Sequence, residues 1–218
     1  MIPLEPRERL LVALDTPDLE AAVGLARRLG GTIGGVKVGI ELYGAHGPEA
    51  VRRLASLGVP VFLDLKFHDI PNTVAGAIHA TVPLAPFMIN VHAAGGPAMM
   101  QAAAEAAARA AIKAGLLRPR VVAVTVLTSL GPHDLHLVGV QGPLAVRVVE
   151  LARLARDAGL DGVVCSAREA MALRGALGRD FILVVPGIRP TWSEAGDQKR
   201  IVTPAEAAAR IVAEIEAA

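Results

Sequence analysis

The sequence predicts an α/β protein of the (β/α)8 TIM-barrel class. Short runs rich in Val, Ile and Leu alternate repeatedly with Ala-rich segments of helical periodicity. Continuous apolar strands are typical of parallel sheets covered on both faces, and their alternation with helices indicates βαβ units. Polar side chains also recur near the carboxyl ends of the predicted strands, and a barrel gathers those ends around one mouth. Together these observations favour a barrel over an open doubly wound sheet.

The predicted elements follow one another along the whole chain. The predicted strands are Leu10–Asp15, Gly35–Gly39, Val61–Lys66, Met88–His92, Val121–Leu127, Gly162–Ser166 and Phe181–Pro186. The predicted helices are Leu19–Leu29, Pro48–Leu57, Pro71–Thr81, Ala98–Ala114, Pro143–Ala158, Ala167–Ala176 and Pro204–Ala217. Proline in the first turn and glycine after the last turn are ordinary start and stop signals of such helices.

The length and composition of the chain exclude several classes of protein. The chain has 218 residues, of which 53% are hydrophobic and 3% aromatic, and its net charge is +1. This length suits one domain covering residues 1–218. The small net charge and the few aromatic residues argue against nucleic-acid binding. The single cysteine fits a reducing compartment, and neither a signal peptide nor a membrane span is indicated, so a cytoplasmic location is expected.

One segment places charged side chains at the end of an apolar strand. Because side chains alternate along a strand, Asp64 and Lys66 are expected to point to the same face. An unpaired buried charge is costly, so these two side chains are expected to pair with each other. They lie at the carboxyl end of the strand, where barrels of this class carry out their chemistry.

Lys37 and Asp69 extend this charged set. Lys37 interrupts an apolar strand and either faces the mouth beside Asp64 or lies at the strand end as a surface lysine. In the first case an array of alternating charge forms from Lys37, Asp64, Lys66 and Asp69. Carboxylates favour the ammonium form of a nearby lysine, which suits protonation of a developing carbanion better than Schiff-base chemistry. The alternative for the whole set is a structural network of ion pairs.

A second polar region follows the seventh predicted strand. Gly187 allows the backbone to approach an anion closely, and Arg189 offers a fork of donors. Barrels often bind phosphate in the loops after strands seven and eight. The polar loop 191–196, which precedes Gln198, is a candidate lid. The alternative is a surface loop with a solvated arginine.

Three further residues each have two open interpretations. Asp15 either accepts hydrogen bonds from a ribose hydroxyl or caps the helix that begins near Leu19, aided by Asp18. Thr128 and Ser129 either offer hydroxyl and backbone contacts to a polar ring or form an ST-turn.

Other patterns are not expected to carry chemistry. His133 and His136 lie in a predicted loop without a third ligand at a suitable spacing, so no metal site is expected. The glycine-rich run 30–35 follows a helix and precedes a strand, the reverse of the dinucleotide-binding order, which indicates a tight turn. Cys165 lies in an apolar run and is expected to be a buried thiol. No role is assigned to His92 at the end of the fourth strand.

The motifs closely resemble those of the orotidine 5′-phosphate decarboxylase family. The matching pieces run in family order along nearly the whole chain: Leu14-Asp15, Lys37-Val38-Gly39, 64–73, Val91-His92, Leu127-Thr128-Ser129, 161–166, 186–189 and 197–200. The Asp-x-Lys-x-x-Asp core is shared with Mg²⁺-dependent relatives that act on sugar phosphates. The extension Ile70-Pro71-Asn72-Thr73 is more specific to the decarboxylase.

The resemblance implies a cofactor-free carboxy-lyase that converts orotidine 5′-phosphate to UMP and CO₂, the last step of pyrimidine nucleotide synthesis. It implies a homodimer whose active sites straddle the interface. In such a site Lys66 protonates C6, Asp64 lies near the departing carboxylate, and Lys37 completes the array. The other implied contacts are Asp69 and Thr73 in the neighbouring subunit's site, Asp15 and Lys37 at the ribose, Thr128 and Ser129 at the pyrimidine, Gln198 between pyrimidine and phosphate, and Arg189, beside Gly187, at the phosphate.

One part of the family pattern is missing. The family has an eighth strand and a Gly-Arg pair that complete the phosphate site, but here 207–210 runs directly into 211–215, which resembles the family's last helix. Either a segment is absent from this sequence, which is the interpretation we favour, or a real deletion leaves an open barrel edge. Two other functions stay open: a Mg²⁺-dependent sugar-phosphate lyase of the same superfamily, and a catalytically silent phosphate-binding protein.

Overall fold

The structure is a computed structural model that describes residues 6–188. The strands in this range are β1 (Leu11–Ala13), β2 (Gly35–Gly39), β3 (Val61–Phe67), β4 (Met88–His92), β5 (Arg120–Val124), β6 (Gly162–Val164) and β7 (Ile182–Val184). The α-helices are α1 (Leu19–Leu29), α2 (Ile40–His46), α3 (Pro48–Ala55), α4 (Pro71–Thr81), α5 (Pro97–Ala114), α6 (Pro132–Leu137), α7 (Leu144–Asp157) and α8 (Ala170–Leu177). Short 3₁₀ helices lie at Pro6–Arg9, Val82–Leu84, Ala93–Gly95 and Ala167–Glu169.

The described residues fall into two compact units, 6–91 with 101–121 and 92–100 with 122–188. In the first unit β1, β2, β3 and β4 are parallel and adjacent in chain order. In the second unit residues 122–124 of β5 pair with β6, and β6 pairs with β7, again parallel and in chain order. Parallel strands joined by helices confirm the predicted α/β class. The prediction of a single domain stays a prediction, and the predicted eighth-strand gap and final helix lie outside the described residues.

Several predicted boundaries are confirmed, and the deviations have local causes. Two strands and two helices begin and end where predicted: Gly35–Gly39, Met88–His92, Leu19–Leu29 and Pro71–Thr81. The fifth strand, predicted to reach Leu127, ends at Val124. Beyond it, the backbone N–H and the hydroxyl of Thr125 both donate to the carbonyl of Val164, at 3.2 and 2.9 Å.

Three helical features differ from the predictions. Helix α2 was not predicted because it follows Gly39 directly, without the polar residue that usually marks a helix start. His133 and His136 lie on the short helix α6 rather than in a loop, so that part of the prediction is wrong. The segment predicted as one helix from Ala167 begins as a 3₁₀ turn, where the backbone N–H of Ser166 donates to Glu169 Oε2 at 2.8 Å.

The glycine-rich run between α1 and β2 is a tight turn, as predicted. A Cβ at Gly34 would lie 1.9 Å from the carbonyl oxygen of Glu8, so only glycine allows this close approach of two backbones. None of the helices described in residues 6–188 combines the length and the apolar character needed to cross a membrane.

We expect Gly162→Ala to destabilise the second unit because β6 packs closely on β7. A Cβ at Gly162 would lie 2.2 Å from the carbonyl oxygen of Ile182. Overpacking of this kind costs about 1–3 kcal/mol, and each kcal/mol lowers Tm by roughly 2–4 °C in a protein of this size. The matched control is Gly175→Ala on α8, where a Cβ meets nothing within 4 Å. Equal melting temperatures for the two variants would contradict the close β6–β7 contact.

Candidate active site

The candidate site lies at the carboxyl ends of β1, β2 and β3 in the first unit. The fully buried Val36 and Val38 lie on one face of β2, and alternation sends Lys37 to the other face. The register of the two strands pairs Gly39 with Asp64. The sequence of β2 and its register therefore bring Lys37 next to Asp64.

Asp64 is the centre of a chain of alternating charge. Its Oδ1 lies 2.7 Å from Lys66 Nζ, and its Oδ2 lies 3.4 Å from Lys37 Nζ. Lys37 Nζ also lies 3.1 Å from Asp15 Oδ1. The Asp64 side chain is only 10% exposed, whereas that of Asp15 is 62% exposed. Two ammonium groups thus compensate a carboxylate that would be costly to bury alone.

Asp15 is bound by Lys37 and does not cap a helix. The N-cap of α1 is Asp18, whose Oδ1 accepts the backbone N–H of Ala21 at 3.0 Å. The helix-cap interpretation of Asp15 is therefore wrong. Gly39 keeps the space around the ion pair open, because a Cβ there would lie 3.1 Å from Lys37 Nζ and 3.5 Å from Asp15 Oδ1.

Strand β3 is irregular at the site. Leu63 pairs with Ile89 and Phe67 pairs with Val91, so β3 has three residues where β4 has one. Lys66 lies within this irregularity and has a φ of 53°, in the left-handed region that non-glycine residues rarely adopt. Such a conformation costs about 1–3 kcal/mol and persists only where its surroundings hold it. Alternation along a regular strand correctly predicts that Lys66 contacts Asp64. In the structure, however, this contact forms because a bulge in β3 changes the direction of the Lys66 side chain.

The single β4 residue opposite the irregularity is Asn90, which is fully buried. Its Oδ1 accepts the backbone N–H of Lys66 at 2.8 Å, and its Nδ2 donates to Asp64 Oδ1 at 2.6 Å. Asn90 was not among the predicted site residues. The signal in the sequence is a carboxamide inside an apolar strand, since a buried polar group needs partners.

Asp69 lies on the exposed connection from β3 to α4, and Thr73 lies in the first turn of α4. Asp69 Oδ1 accepts the backbone N–H of Ile70 at 2.6 Å, and the Thr73 N–H donates to the carbonyl of Ile70 at 3.1 Å. Both residues are exposed, and Ile70 between them is 67% exposed. Among the described residues, the second carboxylate on Lys37 is that of Asp15, while Asp69 faces solvent.

The remaining predicted contacts lie elsewhere in the chain. Thr128, which is buried, and Ser129, which is half-buried, follow β5 in the second unit. Gly187 follows β7 with a φ of 75°, a conformation that suits glycine. Arg189 and Gln198 lie outside the described residues.

The described residues contain no cluster of three or more His, Cys, Asp and Glu side chains placed to hold a metal ion. At the start of the helix that carries His133 and His136, Asp134 Oδ2 accepts the backbone N–H of Gly131 at 2.7 Å. Cys165 is buried, as predicted.

The family of the chain follows from its similarity to known proteins. Residues 8–214 match the orotidine 5′-phosphate decarboxylase / HUMPS family. The chain belongs to this family. The orotidine 5′-phosphate decarboxylase of Rhodospirillum rubrum is 55% identical over 201 residues, which are 92% of this chain and 81% of the relative. That of Moorella thermoacetica is 51% identical over 208 residues, 95% of this chain and 82% of the relative.

Solved structures agree with the family and with the fold. The orotidine 5′-phosphate decarboxylase from Lactobacillus acidophilus is 36% identical and has a TM-score of 0.80, covering 92% of this chain and 85% of that one. An uncharacterised conserved protein from Geobacillus kaustophilus is 42% identical with a TM-score of 0.79, covering 92% and 86%. These neighbours confirm the predicted TIM-barrel-like class. The curated relatives are carboxy-lyases, which confirms the enzyme class that the sequence predicts.

Proposed function

We propose that this protein catalyses the decarboxylation of orotidine 5′-phosphate to UMP and CO₂. One observation carries the proposal: the Asp64 carboxylate lies between the ammonium groups of Lys37 and Lys66, 3.4 and 2.7 Å away. This arrangement occurs in a chain that is 51–55% identical to two curated orotidine 5′-phosphate decarboxylases. The alternative of a purely structural ion-pair network does not account for a strained lysine backbone at the same point.

The reaction breaks the bond between C6 of the pyrimidine and its carboxylate carbon. The electron pair of that bond stays on C6 while CO₂ leaves, and C6 then takes a proton from the ammonium of Lys66. Lys66 regains its proton from solvent, so no oxidant or reductant takes part. The carbanion at C6 lies in the ring plane and is not delocalised by the ring, so charge that is already in place must stabilise it.

Asp64 has two tasks in this proposal. Its contact with Lys66 Nζ aims the ammonium group at the reacting carbon. Its negative charge also opposes the substrate carboxylate, and this repulsion is relieved when CO₂ departs. Binding of the remote phosphate group offsets the repulsion in the bound state. Because Asp64 is nearly buried, its charge is less screened than one at the surface.

The other substrate contacts are proposed from the family pattern. Asp15 and Lys37 bind the ribose, and Thr128 and Ser129 meet the pyrimidine. Arg189, beside Gly187, binds the phosphate. Gln198 lies between pyrimidine and phosphate.

We also propose that the protein acts in the cytoplasm as a homodimer with shared active sites. Asp69 and Thr73 of one subunit enter the site of the other. Their exposure, and the 67% exposed Ile70 between them, support this proposal because a surface of this kind is free to pack against a second copy.

The experiment that tests the proposed function follows the orotate absorbance of orotidine 5′-phosphate with and without EDTA. We expect equal rates in both samples, because lysine and carboxylate groups supply the charge. A sugar-phosphate lyase of the same superfamily requires Mg²⁺, so turnover of a sugar phosphate that EDTA abolishes would favour that function. Tight UMP binding without any loss of absorbance would instead indicate a silent phosphate-binding protein.

A further inference from the structure

The irregularity in β3 changes the hydrogen bonding of the Lys66 backbone. In a regular parallel ladder this N–H would donate to a main-chain carbonyl of a neighbouring strand. Here three β3 residues lie opposite one β4 residue, and the acceptor is a side-chain oxygen, Oδ1 of Asn90 at 2.8 Å. The left-handed conformation of Lys66 is therefore tied to one carboxamide.

The same carboxamide also holds the carboxylate that Lys66 contacts. Asn90 Nδ2 donates to Asp64 Oδ1 at 2.6 Å, and Lys66 Nζ reaches that same oxygen at 2.7 Å. One planar group thus fixes both ends of the Asp64–Lys66 pair, the main chain of the lysine and the oxygen that its ammonium group meets. Asparagine can make both contacts because its carboxamide carries an acceptor oxygen and two N–H donors in a fixed geometry.

We propose that Asn90 is a positioning residue for the decarboxylation. Its buried carboxamide keeps Lys66 in the left-handed conformation and orients the Asp64 carboxylate, so that the ammonium group is aimed at C6. This inference rests on the proposed function. Asn90 is 0% exposed and so offers no surface to a substrate. Its loss is therefore expected to lower kcat and to leave KM nearly unchanged.

The test compares Asn90→Ala and Asn90→Ser with the unchanged protein. Misplacement of a catalytic group by about 1 Å costs roughly 10²-fold, so we expect kcat of Asn90→Ala to fall by about that factor. KM should stay within about threefold, because Asn90 contacts none of the groups proposed to bind the ribose, the pyrimidine or the phosphate. Asn90→Ser retains a hydroxyl that both donates and accepts, and it should recover part of the lost kcat.

The control is Thr81→Val, which removes another buried polar group of the same unit. The Thr81 hydroxyl donates to the carbonyls of Ala77 and Ile78 at 3.0 and 3.1 Å, away from the charged array. Its loss should lower Tm without lowering kcat at a temperature where the variant is folded. Where Asn90→Ala does not fold, Asn90→Ser serves as the test variant.

Two results would overturn the inference while the proposed function stands. One is a folded Asn90→Ala protein with unchanged kcat. The other is a loss of kcat/KM that is due entirely to a rise in KM. If the unchanged protein does not decarboxylate, the proposed function fails, and a crystal structure of Asn90→Ala tests the positioning separately. We expect Lys66 to leave the left-handed region there. A retained positive φ and a retained contact with Asp64 would contradict the role of Asn90.

Discussion

Lys66→Ala is expected to abolish almost all decarboxylation. Lys66 is the only proton donor assigned to C6, and loss of a general acid costs about 10²–10⁴-fold. Its ammonium also stabilises the carbanion, and removal of one such electrostatic group costs a further ~10²–10³-fold. We therefore expect kcat to fall by at least about 10⁴-fold, measured as the initial rate of orotate absorbance loss.

Two companion variants make this result specific. Lys113→Ala removes an exposed lysine of α5 and should leave kcat unchanged. Lys66→Arg keeps the positive charge, but a guanidinium does not release its proton at neutral pH, so its kcat should stay close to that of the alanine variant. Melting curves should show that all three variants are folded. A kcat for Lys66→Ala within tenfold of the unchanged protein would remove Lys66 from the mechanism.

Mixed dimers of Lys66→Ala and Asp69→Ala are expected to recover activity that neither variant has alone. In the proposed dimer each site takes Lys66 from one subunit and Asp69 from the other. A mixed dimer then has one intact site and one site that lacks both residues. Random exchange of subunits makes about half of the dimers mixed, so about a quarter of the activity should return.

The matched control mixes Lys66→Ala with Asp64→Ala. Asp64 and Lys66 contact each other at 2.7 Å within one chain, so each site of such a mixed dimer lacks one of them. We expect no recovery in this case. Recovery in both mixtures, or in neither after subunit exchange is verified, would contradict a site shared in the proposed way.

The charged array shows which features of the site local sequence patterns predict and which they do not. Alternation along the strands predicts that Lys37, Asp64 and Lys66 lie on one side of the sheet, and the distances agree. The pattern does not predict the extra residues in β3 or the positive φ of Lys66, because these depend on the register with β4. Asn90 was missed for the same reason: its two hydrogen bonds depend on which β3 atoms lie opposite it.

The ends of elements were harder to predict than their centres. An apolar pattern continues past Val124, but the strand ends there, and Thr125 donates to the Val164 carbonyl with both its backbone N–H and its hydroxyl. Asp15 and Asp18 are both plausible helix caps by residue type, and only the geometry assigns the cap to Asp18. The centres of strands are easier to predict, because a run of apolar residues indicates directly which part of the chain is buried.

The most direct test of the central claim is the product formed from orotidine 5′-phosphate in D₂O with EDTA present. The Lys66 side chain is 29% exposed, so solvent deuterons reach its ammonium group. We predict that UMP forms in an amount equal to the substrate consumed and carries deuterium at C6. Unchanged orotidine 5′-phosphate in the presence of folded protein, or UMP with hydrogen at C6, would contradict the account.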